Sequence, residues 1–127
     1  MVKREKGHII NIGSIAGKEA YEQGNVYNAS KFAVDGLTQA MRIDLVDYGI
    51  KVSAINPGAA ETEFSLVRFK GDQDKADSVY QGFEPLVAND IAEAILFAVT
   101  RPPHVNIDDM LIMATSQART RKIVKKG

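Results

Sequence analysis

The sequence has 127 residues, enough for one domain with a hydrophobic core and too few for two. Sixteen basic residues balance sixteen acidic ones, so the chain has no overall positive field to attract nucleic acid or an anionic membrane. Cysteine is absent, which excludes disulfides and thiolate chemistry. No apolar run approaches the ~20 residues of a membrane span, and none follows the charged N-terminus as in a signal peptide. These features predict a soluble cytoplasmic protein without nucleic-acid or membrane partners.

The first half of the chain has the pattern of a strand, a long helix and a second strand. Residues 8–12 form a short apolar run between glycines, which is typical of a buried strand. Across residues 26–48 the apolar side chains recur every three or four positions, and Gly49 is a plausible C-cap. Residues 50–55 predict a second strand, ended by Asn56-Pro57-Gly58. Strand, helix and strand in this order predict a right-handed crossover between two parallel strands.

The second half continues the alternation after a mixed polar segment. Residues 61–87 show no sustained period, and we expect a lid with short helical stretches there. Residues 88–100 predict an amphipathic helix with Asn89 or Asp90 as its N-cap, and residues 109–114 predict a third strand. The basic residues of segment 116–127 are predicted to form a solvated tail. The fold class is therefore α/β, with the order β-α-β-lid-α-β of half a doubly wound Rossmann-type sheet.

The predicted first strand raises a question of completeness. It is apolar nearly throughout, yet only six largely charged residues precede it. Its outer edge would then be an unpaired hydrophobic template for association. We therefore expect residues 1–127 to be a single partial domain, the catalytic half of a longer one, and to be poorly stable or aggregation-prone in isolation.

A candidate acid/base pair lies on the long helix, in Tyr27-Asn28-Ala29-Ser30-Lys31. Side chains four residues apart project from the same helix face, which brings the Tyr27 phenol near the Lys31 ammonium. A nearby cation favours the phenolate and lowers the pKa of a tyrosine toward the range useful in catalysis. Ser14 follows a predicted parallel strand, where open α/β sheets place their ligands. Its hydroxyl is suited to hydrogen-bonding a carbonyl oxygen while the tyrosine transfers a proton.

These motifs together resemble the classical short-chain dehydrogenases/reductases. Asn11-Ile12-Gly13-Ser14 resembles the strand with the catalytic serine, residues 27–31 the catalytic helix, and Asn56-Pro57-Gly58 with Thr62 the Pro-Gly-x-x-x-Thr turn. The resemblance implies that Ser14 polarises the carbonyl and Tyr27 transfers the proton. It implies that Lys31 lowers the tyrosine's pKa and hydrogen-bonds the nicotinamide ribose. Tyr27, Lys31, Pro57, Gly58 and Thr62 would contact the cofactor.

A narrower resemblance points to the NADP-dependent serine and 3-hydroxy acid dehydrogenase branch. It rests on residues 62–65 and 67–72 of the lid and on residues 104–107. It implies hydride transfer between NADP, with NAD not excluded, and a small hydroxy acid such as serine, allo-threonine or 3-hydroxypropionate. It also implies a homotetramer in the full-length parent.

The family's other elements are not found in this sequence. No G-x-G-x-x-G loop is present, and the strand and helix expected upstream of the serine are absent. We therefore expect the fragment to be inactive alone. The alternative is a non-enzymatic remnant or partner-dependent domain. A third possibility is an extended-family epimerase or dehydratase, which would need a sizeable C-terminal substrate domain.

Two further features have more than one interpretation. Arg68, in the lid, is either a fork for a substrate carboxylate or a solvated loop residue. The adjacent Asp108 and Asp109 lack other ligands nearby in sequence, so we interpret them as a turn and predict no metal site.

Overall fold

A computed structural model describes residues 1–127 of the chain. The elements in chain order are β1 (Gly7–Ile12), α1 (Asn25–Leu45), β2 (Ile50–Pro57), β3 (Ala60–Glu61), α2 (Phe64–Arg68), α3 (Gln73–Tyr80), β4 (Leu86–Val87), α4 (Ala88–Val99) and β5 (Asp109–Ile112). None of the helices combines the length and the apolar character that a membrane crossing requires.

The central sheet has three parallel strands in the order β1-β2-β5. β2 lies in the middle and carries the most buried residues, with Val52, Ser53 and Ile55 fully enclosed. The register pairs Ile12 with Ile55, and Ile55 with Met110. Because all three strands are parallel, their carboxyl ends lie at one edge of the sheet. The predicted α/β class and strand-helix-strand order are confirmed.

The helix ends follow local capping rules, with one correction. α1 passes into a short 3-10 turn that stops at Gly49, whose left-handed φ of 63° suits a residue without a side chain. The expectation that Asn89 or Asp90 caps α4 was wrong. The helix starts at Ala88 as predicted, but its N-cap is Val87, and the Asp90 carboxylate accepts the Val87 N–H at 2.8 Å. An acidic side chain in the first turn of a helix can thus accept a hydrogen bond from the N-cap N–H, which has no partner within the helix.

α1 packs on the sheet through a face that its apolar pattern does not reveal. The buried residues of the helix are Asn28 and Thr38, both polar. Thr38 accepts a hydrogen bond from Asn11 of β1 at 3.0 Å and donates to the Val34 carbonyl at 2.7 Å. Phe32 and Leu37, from the apolar stripe, remain 46% and 58% exposed. The predicted helix is confirmed, but much of its apolar stripe faces outward.

The lid contains more structure than the predicted short helices. β3 and β4 form a small parallel ladder, and α2 packs against α3. The Tyr80 hydroxyl lies 2.7 Å from Ser65 Oγ and donates to the Ala60 carbonyl at 2.9 Å. Tyr80 therefore ties both lid helices to the segment that follows β2.

The basic segment 116–127, predicted to be a solvated tail, is anchored to the rest of the chain at two places. Glu19 accepts hydrogen bonds from the Thr120 N–H at 2.6 Å and from Arg119 at 3.2 Å. At the other end, the Lys126 N–H donates to the Gly82 carbonyl at 2.7 Å. Most of its side chains are exposed, but its backbone connects the loop after β1 with the lid.

The exposed apolar stripe of α1 leads us to expect self-association. Val26 and Ile43 are 79% and 74% exposed on the same helix, an arrangement typical of surfaces that bind other proteins. Replacing Phe32 and Leu37 with Glu should shift the sedimentation profile toward monomer. Gln39→Glu, on an already polar position, is the matched control. A wild-type chain that stays monomeric at all accessible concentrations would contradict the expectation.

Candidate active site

The candidate site begins where the three parallel strands end. The Gly13 N–H donates to the Ile55 carbonyl at 2.8 Å, and the Gly58 N–H donates to the Ile112 carbonyl at 2.7 Å. These bonds continue the ladder by one residue beyond β1 and β2, so Ser14 and Ala59 are the first residues free of it. Loops that leave the carboxyl edge of a parallel sheet form its usual ligand crevice.

A cleft of about 890 Å³ opens at this edge, a size typical of small-molecule sites. The structure brings most of the sequence-predicted site residues together around it. Its lining includes Ser14, Tyr27, Pro57, Gly58, Thr62 and Arg68. Lys31 is not part of the lining, but its ammonium lies beside the Tyr27 ring.

Tyr27 is surrounded by two cations and one aromatic ring. Lys31 Nζ lies 5.8 Å from the Tyr27 ring centroid, and the Arg68 guanidinium carbon lies 5.9 Å from it. Neither cation forms an ion pair with an acidic side chain. The Phe64 ring of the lid is tilted against Tyr27 with 5.5 Å between centroids. Two positive charges without acidic partners therefore lie beside the Tyr27 ring.

Ser14 is held so that its hydroxyl proton remains available. The side chain caps the 3-10 turn Ile15–Gly17, where Oγ accepts the Ala16 N–H at 3.0 Å. No partner within the chain receives the Ser14 O–H. Because a hydroxyl can accept and donate at once, Ser14 retains a donor for a ligand in the cleft.

The charges around the cleft are of one sign. Its charged lining residues are Arg68, Arg121 and Lys125, with no carboxylate among them. Arg121 is positioned by the Glu22 carbonyl at 2.8 Å and by the Tyr21 ring, whose centroid is 4.9 Å away. A low-dielectric cleft with only positive charge attracts anionic ligands.

Acidic residues nearby are used in pairing outside the cleft. Lys18 contacts Asp35 of α1 at 2.5 Å and also Asp109 of β5. Burial alone would lower the pKa of Lys18, but the hydrogen bonds to Asp109 and Asp35 outweigh it and raise the pKa. Hydrogen bonds from the backbone and side chain of Thr120 lower the pKa of Glu19. Asp109 is thus the first residue of β5 and forms an ion pair, which agrees with the strand predicted from residue 109 and not with the interpretation of Asp108 and Asp109 as a turn.

Several residues of the site could not be identified from sequence motifs. Gln117 is only 6% exposed. Its Oε1 accepts the Ala59 N–H at 2.8 Å, and this bond holds the turn after Gly58. Phe64 contacts Tyr27 only because the lid folds back. Asn28 lies inside the Tyr27–Lys31 motif, but no sequence pattern indicates that it is buried; only the orientation of α1 on the sheet shows this.

The arrangement is suited to proton transfer at an oxygen atom. One cleft is lined by the Ser14 hydroxyl, by the Tyr27 phenol and by positively charged side chains that attract anions. General acid/base catalysis requires such groups within reach of the same substrate atom. No group of acidic or histidine side chains is placed to hold a metal ion.

Comparisons with known proteins agree with this geometry. The profile of the family described as short chain dehydrogenase matches residues 1–72. The NADP-dependent 3-hydroxy acid dehydrogenase of Schizosaccharomyces pombe is 46% identical over 123 residues, which are 97% of this chain and 48% of that protein. The sulfoacetaldehyde reductase of Chromohalobacter salexigens is 46% identical over 114 residues, which are 90% of this chain and 45% of that protein.

A solved structure is similar over the full length of the chain. It is described as the closed form of serine dehydrogenase complexed with NADP+, with a TM-score of 0.92 and 43% sequence identity. The similarity covers 100% of this chain and 52% of that one. The chain therefore spans about half the length of the relatives it matches.

Close packing of the Ser14 loop on α1 provides a direct test of the site's construction. A Cβ atom on Gly17 would lie 2.6 Å from the Lys31 carbonyl oxygen, so Gly17→Ala must push the loop from the helix. We expect it to lower the free energy of unfolding by about 1–3 kcal/mol. The measurement is urea denaturation followed by circular dichroism.

Gly36→Ala, on α1 itself, is the matched control. Nothing lies within 4 Å of its added Cβ, so it should stabilise α1 by about 0.5–1 kcal/mol. Equal effects of the two substitutions would show that the Ser14 loop does not pack as described.

Proposed function

This chain belongs to the short-chain dehydrogenase family, and we propose that it is the catalytic half of an NADP-dependent oxidoreductase acting on small hydroxy acids. The observation that carries the proposal is Tyr27, which opens onto the same cleft as Ser14 with the Lys31 ammonium 5.8 Å from its ring. The names of the relatives support the cofactor and substrate class.

In the proposed reaction, three side chains handle the oxygen that changes between hydroxyl and carbonyl. Ser14 donates its free O–H to that oxygen and holds it near Tyr27. In the oxidation direction the Tyr27 phenolate accepts the hydroxyl proton, and in the reduction direction the phenol returns it. The Lys31 ammonium stabilises the phenolate. When bound, the nicotinamide supplies or accepts the hydride, so one hydride and one proton move in each turnover.

The residues at the cleft fit the nicotinamide end of such a cofactor. Pro57, Gly58 and Thr62 line the wall at the end of β2, and the volume of about 890 Å³ accommodates a small substrate beside a nicotinamide. We propose that these three residues, with Tyr27 and Lys31, hold that end. No Gly-rich phosphate loop is present in the sequence, so we propose that the adenosine and pyrophosphate need residues outside this chain and that the chain alone is inactive.

The position of Arg68 supports the proposed substrate class. Its guanidinium carbon is 5.9 Å from the Tyr27 ring centroid, and it has no acidic partner. In a 3-hydroxy acid one carbon separates the carboxylate from the reacting carbon. An anion held by Arg68 would therefore place the hydroxyl close to Tyr27, and a guanidinium fork binds a carboxylate with two parallel hydrogen bonds. Serine, allo-threonine and 3-hydroxypropionate fit this description.

A non-enzymatic remnant or partner-dependent domain is the second candidate. The exposed stripe on α1 favours a role in assembly, because about half of the surface of Phe32 and of Leu37 is open to solvent. The same stripe is also compatible with a homotetramer of the intact enzyme, and we propose that assembly.

Tyr27→Phe tests the catalytic proposal. We expect a hybrid in which this chain replaces the matching segment of the Schizosaccharomyces pombe relative to oxidise a 3-hydroxy acid with NADP, whereas the chain alone gives no measurable turnover. Tyr27→Phe should lower kcat of the hybrid by at least ~10³-fold, since it removes the acid/base group. The Kd from NADPH fluorescence titration should change far less than kcat, because four other residues are proposed to hold the nicotinamide end. Tyr48→Phe, distant from the cleft, is the control. A wild-type hybrid that binds NADPH but has no turnover would favour the remnant.

Arg68→Ala tests the substrate assignment separately. Loss of the carboxylate partner should raise KM for the hydroxy acid by roughly 10- to 100-fold, the range for a charged hydrogen bond of about 1.5–3 kcal/mol. The KM for NADP should change by less than about twofold. Arg101→Ala, which removes an arginine stacked on Phe97 away from the cleft, controls for general loss of positive charge. An unchanged KM for the acid would exclude the role of Arg68.

A further inference from the structure

A chain of hydrogen bonds connects the Ser14 hydroxyl with Asn28, the residue that follows Tyr27 on α1. Ser14 Oγ accepts the Ala16 N–H at 3.0 Å. The carbonyl of the same Ala16 accepts Asn28 Nδ2 at 2.9 Å, and Asn28 directly follows Tyr27 on α1. Ser14 and Tyr27 are therefore separated by two hydrogen bonds and one peptide bond, although they belong to different elements.

The Asn28 carboxamide uses both of its ends. Its Nδ2 also donates to the Glu19 carbonyl at 3.2 Å, and its Oδ1 accepts the Tyr21 N–H at 3.3 Å. Asn28 is only 5% exposed. Two donors facing two carbonyls and an acceptor facing an N–H define one orientation of the amide. Neither a carboxylate nor an aliphatic side chain of this size can make the same three contacts.

Asn28 is also isolated from other roles. It is not part of the cleft lining, so it touches neither substrate nor cofactor there. The hydrogen bonds of its side chain are all with residues 16–21, the segment that directly follows the Ser14 turn. Its effect on a reaction must therefore be transmitted through the position of that segment relative to Tyr27.

We propose that Asn28 is a positioning residue that sets the separation of Ser14 and Tyr27 by clamping the loop after β1 onto the first turns of α1. This inference rests on the proposed function for its consequence in turnover, but the clamp itself does not. A displacement of about 1 Å in a catalytic group is enough to lower a rate by about 100-fold, so loss of the clamp should act on kcat.

The deciding substitution is Asn28→Asp, which keeps the shape and the acceptor but removes both donors. It also places a carboxylate against the Ala16 and Glu19 carbonyls. Asn28 lies in the first turns of α1, where negative charge is favourable, so the substitution should not unwind the helix. Thr38→Val is the matched control. It removes a buried polar tether between α1 and β1 at a distance from the cleft.

The first measurement is hydrogen exchange in the chain itself, corrected for global stability by urea denaturation. We expect the Ala16 and Gly17 amides, which bond to Ser14, to exchange at least ~10-fold faster in Asn28→Asp and unchanged in Thr38→Val. Protection in Asn28→Asp should partly return at acidic pH, because a protonated carboxyl regains one donor. Asn28→Ala should show no such recovery. Unchanged exchange in Asn28→Asp would overturn the proposal.

The second measurement is kinetic, in the hybrid described for Tyr27. Asn28→Asp should lower kcat by about 100-fold, with KM for NADP and for the acid within about threefold, whereas Thr38→Val leaves both parameters near wild type. Faster exchange with an unchanged kcat would overturn the positioning role. If the wild-type hybrid shows no turnover, the proposed function fails. The ζ-carbon resonance of Tyr27 in the chain then decides, since a shift in Asn28→Asp alone supports the clamp and its absence rejects it.

Discussion

Parallel pairing of β1 with β2 and of β2 with β5 is the constraint on which the site depends. Three strands that run in the same direction end at the same edge, so the residues that follow them become neighbours although they are more than forty positions apart in the chain. Ser14 follows β1, and the Pro57-Gly58 turn ends β2. The backbone bonds from Gly13 and Gly58 extend the ladder to the last position before each loop. A slip of one residue in this register would turn the side chains of a strand to the other face.

The long helix then supplies the remaining groups, and it does so through its polar face. Polar packing is more directional than apolar packing, because a buried amide or hydroxyl must find partners with suitable geometry. Asn28 and Thr38 are such residues, and their bonds to the loop after β1 and to β1 itself hold the helix in one position on the sheet. Tyr27 and Lys31 lie in the first turns of α1, beside the Asn28 bonds, whereas the Thr38 bond secures the helix further along. The apolar stripe remains available for contacts with other surfaces.

The cleft is completed by the lid and by the basic segment 116–127. The lid contributes Phe64 and Arg68 next to Tyr27, and the basic segment 116–127 contributes Arg121 and Lys125 to a lining without carboxylates. The same basic segment connects Glu19 with Gly82, so the loop after β1 and the lid are linked outside the cleft as well as across it. Positive charge therefore accumulates at the site of a chain whose net charge is zero.

The sequence by itself determined the strand-helix-strand order, the family and six of the residues that line the cleft, because these depend on periodicity and on short motifs whose spacing is local. It placed Tyr27 and Lys31 on one helix face for the same reason. The outward orientation of the apolar stripe and the anchoring of segment 116–127 were decided only by the tertiary structure. So were the contacts of Asn28, Phe64 and Gln117. Each of these depends on a partner distant in sequence, and no local pattern records which face of a helix or which loop such a partner will meet.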